Sequence, residues 1–167
     1  MKEKFEHIKK CIEKLASIID APNHLLPTLG NSLDSHPNIA VSNSGQLSYE
    51  IFERGVCEIS INAVDLEHLL FIVFKDITYS MAIKLTIEQP KIDIRRLEEQ
   101  KQLELLGKLN VEWQQKEREN QVRKEIQFPF HDYEGKRHSY LRELLGNGFL
   151  YNEALEKVNI KFPKNSA

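Results

Sequence analysis

Apolar residues follow three different rhythms along the chain, and each rhythm predicts a different kind of element. Between residues 3 and 20, Phe5, Ile8, Ile12, Leu15, Ile18 and Ile19 recur at helical spacing with Lys and Glu between them. That spacing predicts an amphipathic helix. Ala21-Pro22-Asn23 stops it, and 21–37, with three prolines, reads as an irregular connection. The rhythm then shortens to alternation. Strands are predicted at 38–43, 46–53 (QLSYEIFE) and 56–61 (VCEISI), joined by turns at Ser44-Gly45 and Arg54-Gly55. The result is a three-stranded antiparallel meander with one face to be covered.

The third rhythm is almost none at all. Residues 65–85, DLEHLLFIVFKDITYSMAIKL, place apolar side chains nearly all round a helix, from Leu66 and Leu70 to Phe74, Ile77, Met81 and Ile83. Such a helix is wrapped by its own domain or lies in a membrane. A membrane span needs roughly 18 or more consecutive apolar residues, and here Glu67-His68 and Lys75-Asp76 interrupt the run. A buried core helix follows, with Asp65 as N-cap and Val64 stapled to Leu69. It is the natural cover for the meander.

Glu88-Gln89-Pro90-Lys91 breaks the helical pattern. Asp93 then caps a helix through LEEQKQLELLGKL, with Ile94, Leu97, Leu105 and Leu106 inward and Gly107 at its end. Asn110 caps a helix over 111–127 that has few apolar residues: Val111, Trp113, Val122 and Ile126. After a loop at 128–135, short helices at 137–145 and 152–161 close the chain. Strands followed by helices give an α+β class rather than alternating βαβ. The expected architecture is a small three-stranded meander on a long buried helix, with an N-terminal helix and a helical C-terminal half. Residues 1–167 read as a single domain.

Composition narrows the function classes. The net charge is −2, so no basic field exists to drive nucleic-acid binding. Cys11 and Cys57 lie apart in apolar surroundings and read as buried reduced thiols. The charged N-terminus MKEKFEHIKK has no apolar signal core, and a cytoplasmic protein is expected.

Catalytic patterns are few. The six histidines include no HExxH and the cysteines no CxxC, so neither metal nor cofactor is predicted. His131-Asp132 with His138 comes nearest to an acid–base or metal cluster, the basis of an alternative reading as a small metal-dependent hydrolase. The carboxylates Glu98-Glu99 and Glu117/Glu119 read as solvated helix faces, and Tyr49, Tyr79 and Trp113 as core aromatics. Asp76 falls beside Leu69, Ile72 and Ile83, on a side expected to be buried. A buried carboxylate needs a cation or hydrogen-bond donors, and Arg95 or Arg96 is the expected partner, as a structural ion pair.

Taken together, Arg54-Gly55, DLEHLLFIVFKDITYSMA at 65–82, DIRR at 93–96, KQLELLGKLNVEW at 101–113 and PFHD at 129–132 resemble a known family. It is the sixty-third numbered family of immunity proteins from bacterial polymorphic toxin systems. The resemblance covers roughly 45–162. Ile94 departs from it, standing where the family has Phe, as does Ser60-Ile61-Asn62 where Thr-rich sequence is usual. The resemblance implies a cytoplasmic, non-enzymatic protein without cofactor. Such a protein binds the C-terminal domain of a cognate secreted toxin and blocks it stoichiometrically. Against a basic nuclease toxin, contacts are expected from Glu50, Glu53 and Glu58 on the sheet, or from Glu98, Glu99 and Glu104 on the following helix. An intracellular protein–protein adaptor using the charged 111–127 helix is the other binding-protein reading. Homodimerisation through the exposed sheet edge stays open.

Overall fold

The stretch that is apolar all round becomes one helix, and its neighbours explain its composition. A computed structural model of the chain describes residues 2–30, 35–87, 94–127 and 133–162. The elements are α1 (Lys2–Ile18), a single 3-10 turn (Asn23–Leu25), β1 (Thr28–Leu29), β2 (Pro37–Val41), β3 (Leu47–Glu53) and β4 (Val56–Ala63). They continue as α2 (Leu66–Thr86), α3 (Ile94–Leu109), α4 (Val111–Gln127), α5 (Tyr133–Gly146) and α6 (Tyr151–Lys161). α2 packs against β3, β4 and α3, and α4 packs on α3. Leu69, Leu70, Phe71, Val73, Phe74 and Ile77 are therefore buried at nearly successive positions. Ile8 and Ile12 of α1, Ile39 of β2 and Trp113 of α4 join the same core. Complete burial of a Leu or Phe side chain contributes about 1.5–3 kcal/mol, and Leu69 and Phe74 reach that limit.

The start of α2 is fixed as expected, by the Asp65 side chain accepting from the His68 backbone N–H at 2.7 Å. The staple does not form: Val64 is 85% exposed. α3 runs on through Gly107 to Leu109 rather than ending there. A side chain at Gly107 would collide with Gln114, whose amide Nε2 donates to the Leu103 carbonyl at 2.9 Å. The glycine is thus a gap for an α3–α4 bond, not a helix stop. Asn110 caps α4, its Oδ1 accepting from Glu112 N at 2.7 Å and Trp113 N at 3.3 Å. The proposed Asp93 cap lies outside the described residues.

The sheet order is β1-β2-β3-β4, so the predicted meander gains a fourth strand and becomes mixed. β1 pairs parallel to β2. Two residues are too short to show any period, which is why 21–37 read as irregular. Arg54 (φ +50°) and Gly55 (φ +77°) are both left-handed, as a two-residue type I′ hairpin requires. Register puts Leu47 opposite Ala63, Tyr49 opposite Ile61 and Ile51 opposite Ile59, so these six share one face of the sheet. That face turns toward α2 through Tyr49, whose hydroxyl reaches Asp76.

α5 and α6 pack on each other, with Leu144, Ala154 and Val158 as a small core separate from the main one. Both cysteines are free. Cys57 is exposed and Cys11 half-buried, so neither is the buried thiol expected.

Candidate functional site: an open cleft at the sheet edge

The helices do not cover β4 as they cover β3. Tyr49 of β3 is 4% exposed, whereas Ile59 and Ile61 of β4, on the same face, stand at 42% and 41%. The uncovered strip borders a cleft of about 370 Å³ whose walls include Tyr49, Ile72, Lys75, Asp76, Tyr79 and Glu117. Two charged groups on α2 define its floor. Asp76 is half-buried and accepts a hydrogen bond from the Tyr49 hydroxyl at 2.6 Å. Burial first, and then the bond to this carboxylate, push the Tyr49 phenol well above its ordinary value.

Lys75 reaches the other way, its Nζ 3.0 Å from Oε2 of Glu117. Glu117 is wholly buried and Lys75 about one-third exposed. Asn120 donates to the same oxygen at 3.0 Å, while Oε1 has no hydrogen-bond partner among the described residues. Around the pair, the Gln102 amide donates to the Lys75 carbonyl at 2.9 Å, and Gln121 donates to Gln102 Oε1 at 3.1 Å. This polar layer ties α2, α3 and α4 together at the foot of the cleft.

The sequence places these residues only in part. Glu117 was read as a solvated surface carboxylate, and that reading is corrected. Trp113, Glu117 and Gln121 form the buried stripe of α4, while Val122 and Ile126 point outward at 52% and 63% exposure. The signal was present in the four-residue spacing from Trp113 and in Lys75, a cation interrupting an otherwise apolar helix.

Asp76 is also corrected: its bonded partner is Tyr49 across the helix–sheet interface, not Arg95 or Arg96. Arg95 instead pairs with Glu99 one turn along α3, at 3.0 Å. An i,i+4 partner on the same helix is closer to hand than a group on another element. Arg96 is half-buried on α3. Tyr79 stands 42% exposed at the cleft wall rather than in the core. Burial, then Glu98 and Glu99, raise its phenol above the ordinary value.

The acidic candidates divide between two places. Glu50, Glu53 and Glu58 sit on β3 and β4, Glu50 accepting from the Ser48 hydroxyl at 2.7 Å. Glu98, Glu99 and Glu104 lie on α3, which packs against α2. Burial raises the Glu99 carboxyl against the opposing pull of Arg95, and the bond to Lys101 at 2.7 Å lowers that of Glu104. His131 and Asp132 lie outside the described residues, as does the side chain of His138. Among the described residues no group of His, Cys, Asp and Glu could hold a metal, and no helix is long and apolar enough to cross a membrane.

All the cleft-lining residues but Lys124 fall inside the part of the chain that comparison with protein families identifies. Residues 43–123 match the family model of immunity protein 63. The match takes in β3, β4, α2, α3 and most of α4, and ends short of the 162 that the sequence resemblance reached. No curated protein and no solved structure matches the chain. A match to an immunity-protein family implies a role in toxin neutralisation, by a binding protein rather than an enzyme.

Proposed function

We propose that this chain binds the C-terminal domain of one cognate secreted toxin directly and neutralises it as a stoichiometric complex. The observation that carries the reading is the match over 43–123, which includes the sheet edge and the helices behind it. The partner is a protein, and neither a metal nor a cofactor takes part. Glu50, Glu53 and Glu58 lie where they can meet a basic toxin surface at the sheet, and Glu98, Glu99 and Glu104 offer a second acidic patch on α3. Asp76 and Arg95 act structurally, through Tyr49 and Glu99. Arg96, beside Arg95, is given the same structural role.

Co-expression with the toxin domain encoded beside it tests the proposal. Rescue of growth together with a 1:1 complex on gel filtration is expected. Continued toxicity with no complex contradicts it. The adaptor reading predicts instead a partner unrelated to any neighbouring toxin gene.

A further inference from the structure

β4 is left open in two directions at once. It ends the sheet, and among the described residues nothing pairs with its outer edge. Its helix-facing side chains Ile59 and Ile61 are also only partly covered. Proteins usually blunt such an edge with Lys, Pro or a bulge. Here VCEISINA has neither Lys nor Pro. The one bulge leaves Glu58 without an opposite residue, so the ladder over 59–63 stays regular. Eight residues give the edge a length of about 26 Å, at ~3.3 Å per residue.

The charge on the sheet indicates what suits this edge. The four strands carry Glu50, Glu53 and Glu58 and no Lys, Arg or His. A second copy of β4 laid alongside would bring no cation to these carboxylates. A strand with the opposite charge and the same alternation fits. Its apolar side chains would extend the Ile59–Ile61 row over the cleft beside Tyr79, and its basic side chains would face Glu50 and Glu58.

We propose that β4 is the docking edge for an extended segment of the toxin domain, with alternating apolar and basic residues, added as a fifth strand. The proposal rests on the reading above that the partner is a toxin. It assigns the recognition surface to β4 and the cleft rather than to α3. Main-chain hydrogen bonds would supply affinity, and the Ile59–Ile61–Tyr79 strip with the adjoining carboxylates would supply selection.

The test uses the full chain and the toxin domain encoded beside it, with calorimetric affinity and amide hydrogen exchange as readouts. Ile61→Lys and Glu58→Lys are each expected to weaken the complex by at least roughly tenfold. Lys10→Glu, on the exposed side of α1, is expected to leave it unchanged. In the wild-type pair, exchange at 59–63 is expected to slow on binding. That measurement decides the matter even if Ile61→Lys fails to fold. Wild-type affinity in both variants, or unchanged exchange at 59–63, overturns the docking edge while leaving the toxin reading intact. A free chain that is dimeric, with 59–63 already protected, assigns the edge to a second copy and also overturns it. Absence of any complex with the wild-type chain instead overturns the toxin reading itself.

Discussion

Replacing Lys75 by Met keeps the length of the side chain and removes its ammonium, leaving the buried Glu117 carboxylate without its cation. Removing one partner of a buried pair costs about 3–5 kcal/mol, because the remaining charge is uncompensated. Lys75 is itself one-third exposed, and the Asn120 bond at 3.0 Å remains, so the low end, about 3 kcal/mol, is expected. The reverse change is milder. Glu117→Gln leaves an ammonium that can rehydrate at the cleft and keeps an oxygen for Asn120, for a loss of about 1 kcal/mol. The inequality between the two variants is the prediction. Urea unfolding can be followed through the single tryptophan, Trp113, which is buried in the same core. In a thermal melt each kcal/mol corresponds to about 2–4 °C for a chain of this size, so Lys75→Met should lower Tm by about 6–12 °C. The double variant Lys75→Met/Glu117→Leu should recover most of that. A Lys75→Met loss under about 1 kcal/mol, or one no larger than that of Glu117→Gln, would refute the account of the pair.

Three further outcomes follow from local geometry. Asp65→Ala removes the α2 cap and should lower stability by about 1 kcal/mol, read as a shift in urea midpoint at constant slope. Gly107→Ala adds helix propensity worth about 1 kcal/mol but displaces the Gln114–Leu103 bond, so its net effect should be small. Combining it with Gln114→Ala should make the variant measurably more stable than Gln114→Ala alone. The third concerns pH. The Tyr49 phenol is raised in the folded state, so above about pH 10 the unfolded chain releases a proton that the folded chain keeps. Stability contributed by this proton is complete below that pH and declines above it, by about 1.4 kcal/mol per pH unit. Tyr49→Phe should remove that part of the alkaline slope, seen as a difference between the two unfolding curves from pH 9 to 11.

Most of the architecture was legible because strong periodicity leaves little choice of element. α2 could be read to within a residue, since 65–85 is too apolar to be anything but a core helix and Asp65 marks its start. The hairpin at Arg54-Gly55 was fixed by local backbone chemistry. β1 could not be read, because its two residues gain their strand conformation only from β2. The site was less visible for a related reason. Partners of charged residues are chosen by tertiary proximity: Tyr49 lies 27 residues from Asp76, whereas Arg95 had Glu99 within one turn. Glu117 misled in a further way. On a helix with few apolar residues, the polar ones look solvated until α2 supplies a Lys and α3 a Gln to line the same layer. The exposure of β4 depends on where the helices stop, which strand periodicity does not encode.

The central claim is that the chain inhibits a toxin by binding it. Its most direct test is titration of the purified toxin domain encoded beside it with the purified chain, following toxin activity. Activity should fall linearly to zero at one equivalent, and the mixture should elute as a single 1:1 complex. Full activity at a large excess of chain, with two separate peaks, would contradict the account.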